Sequence, residues 1–124
     1  MMRDMDLIRL LLLEIEARSG GATSQIIDLR IDGYSREQVG HHVWLLEDGG
    51  FIICVEGEVV DEAELYPRCL TWKGHEFLDA VRDPDVWRQS ASLAQRGRNQ
   101  SLRTVWKIAQ KLAEHRTERL ATLN

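Results

Sequence analysis

The amino-acid sequence predicts an α+β fold, and three features of one central stretch carry that prediction. Ser35 and Gln38 have the spacing of a capping box, which begins a helix because each side chain binds a free backbone N–H. Gly49 and Gly50 then supply the left-handed conformation that ends many helices. The apolar run at residues 51–55 follows directly and has the composition of a strand. A capped helix, a glycine stop and an immediate strand predict a winged helix-turn-helix.

The chain before this helix predicts one further helix and one further strand. Asp4 is suited to cap a first helix, whose apolar positions recur at spacings of three and four residues and therefore need burial. These positions are Leu7, Ile8, Leu11, Leu12 and Ile15. Residues 27–32 alternate between apolar and charged, which predicts a half-buried strand where an ordinary helix-turn-helix has a short helix. A single helical turn at residues 24–27 is the alternative interpretation.

The chain after the central helix predicts a hairpin with a charged tip. A second strand is expected at residues 67–71, and it would pair with the strand at residues 51–55. The intervening loop, residues 56–64, contains five acidic residues and no basic one. Its length suits the wing of a winged helix.

Three helices are expected after the hairpin. Thr71 is suited to cap the first, and Asp83 with Pro84 ends that helix and begins the next. A linker at residues 96–100 precedes a last helix at residues 101–120. We therefore predict a winged-helix domain over residues 1–83 and a C-terminal helical extension over residues 84–124.

Charge divides the chain into an acidic body and a basic tail. Residues 1–85 hold 8 Lys+Arg against 18 Asp+Glu, a net charge of −10, whereas residues 86–124 hold 8 against 2, a net charge of +6. Neither a membrane-spanning run nor a secretory signal is recognisable, which predicts a cytoplasmic location. Cys54 and Cys69 are therefore expected to be reduced, buried and structural.

Two phrases of the sequence carry a family resemblance. They are RDMDLIR at residues 3–9 and LTWKGHEFLD at residues 70–79, joined by GYS at residues 33–35 and by His42. Over about residues 1–90 the chain resembles an uncharacterised family of bacterial and phage proteins, domain of unknown function number 2513. The resemblance implies a winged-helix fold and a bacterial or prophage origin, and it brings no assigned activity, cofactor or catalytic residue. At the level of fold alone, residues 70–74 are also similar to the second wing strand of many bacterial transcription regulators.

The central helix is the first candidate interaction surface. Winding it at 100° per residue places Val39, His42, Val43 and Leu46 on an inner side and Glu37, Gly40, His41, Trp44 and Asp48 on an outer side. We take Arg36, Gly40, His41 and Trp44 as the candidate interaction face. His42, on the inner side, is expected to be a core histidine bonded to a backbone carbonyl.

Two kinds of partner stay open for this face. Double-stranded DNA is favoured by the fold, but phosphate contacts need Lys and Arg, and Arg36 is the one basic residue of this helix. A protein partner is favoured by Gly40, which would leave a notch one turn from the aromatic Trp44. Alternatively, Trp44 packs against the C-terminal helices of its own chain.

An enzyme and a metal site are not expected. Cys54, Cys69 and His75 could converge on a metal, but their spacings match no compact zinc pattern. The sequence has neither a recognisable nucleophile motif nor a phosphate-binding glycine loop, so we predict no catalytic residue and no cofactor.

The last helix is the second candidate interaction surface. Arg103, Lys107 and Lys111 recur every four residues and so form a basic row beside an apolar stripe. The row could bind nucleic acid. It could also bind the acidic body of a second copy of the chain, which would make the protein a homodimer through this helix. A tail folded on its own body fits the same charges.

Overall fold

The computed structural model describes residues 1–20, 26–55, 65–98 and 101–122. Over these ranges the chain is α+β, with five helices and one two-stranded antiparallel sheet. The chain divides into two compact units, Met1–Glu76 and Phe77–Asn124. Within the described ranges, no helix combines the length and the apolar composition needed to cross a membrane.

Helix α1 (Met5–Arg18) begins after Asp4, as predicted. The Asp4 carboxylate accepts hydrogen bonds from the backbone N–H groups of Asp6 at 3.0 Å and Leu7 at 3.2 Å. Its five predicted core positions are all buried, namely Leu7, Ile8, Leu11, Leu12 and Ile15. This stripe packs against the next helix and the second strand, so α1 supplies the centre of the first unit's core.

Residues 27–32 do not form a strand, so the strand predicted there is wrong. Most of the predicted alternation is kept, because Ile27 and Leu29 are buried, Ile31 is half-buried, and the charged residues Asp28, Arg30 and Asp32 are exposed. The alternative of a helical turn at residues 24–27 falls mostly outside the described residues.

The hydrogen bonding explains why this segment stays irregular. The Ile27 N–H donates to the Pro67 carbonyl at 3.0 Å, but proline has no N–H with which to return a bond. The Asp28 carbonyl accepts instead from the Arg18 guanidinium at 3.0 Å. A strand ladder needs repeated bonds between two backbones, and the return bond that Pro67 cannot donate is missing from this one.

Helix α2 (Arg36–Asp48) begins with the predicted capping box. Ser35 Oγ accepts from the Gln38 N–H at 3.1 Å, and Gln38 Oε1 accepts from the Ser35 N–H at 2.8 Å. Two donors at the start of the helix are therefore satisfied reciprocally.

The end of α2 is a Schellman motif. Gly50 has the left-handed φ of +81°, and its N–H donates to the Glu47 carbonyl at 3.0 Å. The Phe51 N–H donates to the Leu46 carbonyl at 2.9 Å. These two bonds end the helix, so both the bounds and the rotation of α2 are fixed by local chemistry.

The hairpin that follows consists of β1 (Ile52–Cys54) and β2 (Pro67–Leu70). The strands pair antiparallel with Ile52 opposite Leu70 and Ile53 opposite Cys69, and the register shifts after Ile53. The predicted acidic wing tip, residues 56–64, lies outside the described residues. Helix α2 contacts β1, and α1 contacts β2, so the hairpin closes the core of the first unit.

Helix α3 (Trp72–Val81) begins at the predicted cap. Thr71 Oγ1 accepts from the Gly74 N–H at 3.1 Å. A Cβ added to Gly74 would overlap the Phe51 carbonyl oxygen, so this helix approaches the start of the hairpin more closely than any larger residue would permit.

The second unit is built on helices α4 (Pro84–Arg96) and α5 (Leu102–Thr122), which pack against each other. Asp83 caps α4 by accepting from the N–H groups of Asp85 at 2.8 Å and Val86 at 3.4 Å. It also binds Arg116 of α5. The Asp85 N–H first, and then the Val86 N–H and the Arg116 guanidinium, lower the pKa of the Asp83 carboxyl.

The buried side of α4 consists of Val86, Trp87, Ser90 and Ala94. Helical spacing in the sequence predicts a stripe of Trp87, Ala91 and Ala94, but Ala91 is only half-buried and Ser90 is buried. The Ser90 hydroxyl donates to the Val86 carbonyl at 2.7 Å, which satisfies its polar atom inside the core.

Candidate functional site

The two sides of α2 differ in burial as the helical phase predicts. The inner residues are all buried, namely Val39, His42, Val43 and Leu46. On the outer side Glu37, Trp44 and Asp48 are exposed, and Gly40 and His41 are half-buried. The candidate interaction face therefore lies on the solvent side of the helix.

His42 is a core histidine with both ring nitrogens satisfied. Its Nε2 accepts from the Asp4 backbone N–H at 2.8 Å, and its Nδ1 lies 2.7 Å from the Gln38 carbonyl oxygen. Because a backbone N–H can only donate, Nε2 is the acceptor and the proton is on Nδ1. The prediction of a histidine bonded to a backbone carbonyl is confirmed, and the second bond ties the start of α1 to α2.

His41 and Trp44 form an aromatic pair on the outer side. Their rings are stacked, with centroids 6.2 Å apart and planes 20° apart. Trp44 is 50% exposed, which is high for a tryptophan in a folded chain. A large aromatic surface held in place by a second ring is the kind of group that dominates protein–protein contacts.

A groove of about 450 Å³ runs beside this pair. One wall is the first half of α2, and the others come from residues 27–29 and from residues 65–67. The lining residues are Ile27, Asp28, Leu29, Arg36, Glu37, Val39, Gly40, His41, Val43, Leu65, Tyr66 and Pro67. This volume falls in the range of sites that hold a small molecule or a few side chains of a peptide.

Gly40 lines the groove without an internal reason to be glycine. A Cβ at this position would meet no described atom within 4 Å, and Gly40 does not have a positive φ. Glycine inside a helix costs about 1 kcal/mol relative to alanine. The groove is therefore widened at Gly40 at a cost in stability that packing within the described chain does not explain.

The outer side of α2 carries net negative charge. The helix holds one basic residue, Arg36, against three acidic ones, Glu37, Glu47 and Asp48. Among the described residues, neither Glu37 nor Asp48 forms an ion pair. Trp44 lies between them along the helix, so an aromatic surface is flanked by two carboxylates that are not neutralised.

The structure brings three of the four predicted face residues together in the groove. Arg36, Gly40 and His41 line it, whereas Trp44 does not and instead stacks on His41. The walls formed by residues 27–29 and 65–67 were not predicted as part of the site. The alternation of Ile27 and Leu29 was the signal that this segment packs inward, but it could not show against what.

The predicted basic row lies on α5, in the second unit. Arg103, Lys107 and Lys111 are all exposed. Within the described ranges none of the three forms an ion pair, whereas Arg116 of the same helix binds Asp83. At four residues per step, neighbouring members are about 6 Å apart along the helix axis.

Both cysteines are free and buried in the hairpin. Cys54 lies opposite Pro67, and Cys69 lies opposite Ile53. Burial, and to a lesser degree the charge of Glu47, raises the pKa of the Cys54 thiol to about 12. A thiol that stays protonated is a poor nucleophile and a poor metal ligand.

His75, the third member of the predicted metal alternative, pairs with a carboxylate. Its Nδ1 lies 3.6 Å from Glu16 Oε2, and both residues line a cavity of about 540 Å³ that also includes Cys69 but not Cys54. In the part of the chain that the structure describes, no three His, Cys, Asp or Glu side chains are placed to hold a metal ion.

The exposed Trp72 is a feature that the sequence did not single out. It is 80% exposed at the start of α3 and lines the same cavity as Ile53, which is 43% exposed. Trp72 and Ile53 therefore place exposed apolar surface on the first unit at a site other than the α2 groove.

Comparison with known proteins identifies the family of the chain. Residues 2–101 match the family described as Hypothetical protein (DUF2513), and the chain belongs to this family. It is also similar to an uncharacterised protein of Haemophilus influenzae, with 34% identity over 111 residues, which covers 89% of this chain and 93% of that protein. No solved structure matches the chain.

Proposed function

We propose that this member of the DUF2513 family is a non-enzymatic binding module that contacts a protein partner through the outer side of α2. The proposed scaffold is a winged helix, supported by the order of a first helix, a capped helix and an antiparallel hairpin. In this proposal the outer side of α2 binds a protein, and α2 does not insert into a DNA groove.

The observation that carries the proposal is an aromatic pair, of which Trp44 is exposed and His41 lines a mainly apolar groove. Trp44 and His41 offer a rigid contact surface, and the groove at Gly40 offers space for a partner side chain. Most energetically important contacts in protein interfaces have this form, an aromatic anchor beside a pocket. The acidic charge of the same face opposes phosphate and so favours protein over nucleic acid at this site.

Selection from a random dodecapeptide library displayed on phage tests the proposal. The full-length protein is immobilised, and bound peptides are then measured in solution against three proteins: wild type, Trp44→Ala and Trp72→Ala. We expect peptides whose affinity falls at least about thirtyfold with Trp44→Ala, the loss typical of an anchor residue.

Trp72→Ala is the matched control, because Trp72 is also an exposed tryptophan of the first unit but lies away from the α2 groove. Peptides that bind wild type and Trp44→Ala equally would place the interaction elsewhere and refute the proposal. Full-length protein labelled with ¹⁵N supplies a second readout, since peptide binding should shift the amide signals of Gly40, His41 and Trp44.

Double-stranded DNA is a second candidate partner, and the basic row of α5 favours it. Arg103, Lys107 and Lys111 are exposed and about 6 Å apart along the axis, which allows contacts to successive phosphates of one strand. The test is a titration with random duplex DNA from low to moderate salt. Binding that weakens steeply with salt, and that is lost when all three residues are replaced by Gln, supports it; no binding at low salt rejects it.

We also propose that two copies of the chain form a homodimer through α5. The end of α5 is exposed and includes the apolar Leu120, which is 67% exposed. Light scattering over a concentration series, with wild type and Leu120→Lys, decides between a dimer that the substitution weakens and a chain that is monomeric throughout. We also propose that the protein works in the cytoplasm, which the two free cysteines support.

A further inference from the structure

The charges around Trp44 indicate the chemistry of the partner. This inference rests on the function proposed above. Glu37 precedes Trp44 by seven residues and Asp48 follows it by four, so the three side chains lie along one stripe of the helix. Both carboxylates are exposed and neither has an ion-pair partner among the described residues. The Asp28 carboxylate, on the opposite wall of the groove, has only a loose and exposed pair with Arg30 at 3.8 Å.

We propose that the α2 groove binds an extended basic peptide segment of another protein. An arginine or lysine of the segment binds each end of the stripe, at Glu37 and at Asp48, and a large apolar residue between them enters the groove beside Gly40. The exposed ring face of Trp44 adds to the attraction, because aromatic faces attract guanidinium and ammonium groups.

The geometry fixes the spacing of the peptide. Glu37 and Asp48 are eleven residues apart on the helix, which corresponds to about 16 Å along the axis. An extended peptide advances about 3.3 Å per residue. The two basic residues of the partner are therefore about five positions apart, with the apolar residue between them.

Arg36 is the basic residue among those that line the groove, and it takes part in an interaction within its own chain. A basic residue of the partner therefore binds at Glu37, which has no ion-pair partner among the described residues.

The test uses the full-length protein and the random dodecapeptide library at low and at moderate salt. One variant combines Glu37→Gln with Asp48→Asn, and a matched control combines Glu114→Gln with Glu118→Gln, which removes the same charge from exposed positions of α5. We expect wild type to select peptides with two basic residues about five positions apart around a large apolar residue. A synthetic peptide of this kind should bind about tenfold more weakly to the double variant and to wild type at moderate salt, and unchanged to the control.

The outcomes separate this inference from the function on which it rests. Peptides that depend on Trp44 but are uncharged or acidic would overturn the basic partner and leave the protein-binding face in place. Peptides that ignore Trp44 would remove the proposed function itself. If light scattering shows a dimer that the Glu37→Gln, Asp48→Asn variant dissociates, the occupant is a second copy of the chain and the assignment to another protein is wrong.

Discussion

The two sides of α2 differ most clearly at its neighbouring histidines. His42 is buried, and both of its ring nitrogens are bound by backbone groups of the chain. His41 is half-buried and stacks on Trp44, whose other surface faces solvent. The inner residues are buried in the core, whereas Gly40, Trp44 and the two carboxylates of the outer side are not buried, and His41 contacts the ring of His42 only by its edge. This contrast is the reason to look for function on the outer side.

The largest expected effect is on the inner side, at Val43. Val43 is 2% exposed, so Val43→Asp would bury a charge without a partner and should destabilise the protein by about 4 kcal/mol or more. Thermal unfolding followed by circular dichroism measures this. A variant with Gln38 changed to Ala loses only an exposed cap, about 1 kcal/mol, and is the control within the same helix. A normally folded Val43→Asp protein would mean that the two sides of α2 are assigned in reverse.

A pair of glycine substitutions sharpens the comparison. Gly74→Ala should destabilise by about 3 kcal/mol, because the added methyl overlaps the Phe51 carbonyl and the helix must move. Gly40→Ala should stabilise by about 1 kcal/mol, because the methyl meets nothing and alanine is the better helix former. Urea unfolding of both variants checks the signs. If Gly40→Ala is destabilising, the chain itself needs this glycine and the argument from it fails.

The two histidines should respond differently to alanine. His42→Ala leaves the Asp4 N–H without its acceptor, removes the side-chain bond to the Gln38 carbonyl and leaves a cavity, which should cost about 2–4 kcal/mol. His41→Ala should change stability by no more than about 0.5 kcal/mol. Ring ¹⁵N shifts of the wild type supply an independent check, since His42 should be the Nδ1–H tautomer. Equal losses for the two variants would contradict the contrast.

The last effect is a pH dependence that is absent at neutral pH and comes from β1, the strand that α2 contacts. The Cys54 thiol keeps its proton to about pH 12 in the fold, whereas an unfolded cysteine ionises near about pH 8.5. The folded state binds the proton more tightly, so this stabilisation is complete below about pH 8.5 and is lost as the pH rises towards 12. The loss is at most about 1.4 kcal/mol per pH unit.

Urea unfolding at neutral and at alkaline pH, with wild type and Cys54→Ala, isolates this contribution. The variant should lose less stability than wild type over the same interval. Identical slopes would show that solvent reaches the thiol and that the hairpin interior is wetter than its burial indicates.

The helix ends were predictable because their chemistry is local. The capping box of Ser35 and Gln38, the cap at Thr71 and the pair Asp83-Pro84 each act within a few residues, and all three begin helices where expected. The irregular structure of residues 27–32 was not predictable in the same way. Whether an alternating segment becomes a strand depends on its neighbour, and the neighbour here includes a proline at position 67.

The candidate site was predictable to the extent that one helix forms it. Helical phase alone placed Gly40, His41 and Trp44 on one side, and the structure agrees. The groove was not predictable, because its other walls come from residues 27–29 and 65–67. These two segments lie almost forty residues apart in the sequence. Neither spacing nor composition contains that proximity.

The bond between Asp4 and His42 has a consequence for how the first unit opens. Amides that precede a helix ordinarily exchange their hydrogen with water as fast as those of a free peptide. The Asp4 amide instead donates to a buried ring of α2, so its hydrogen exchanges only when that bond opens. The exchange rate of a single amide near the beginning of the chain thus reports how often the start of α1 separates from α2.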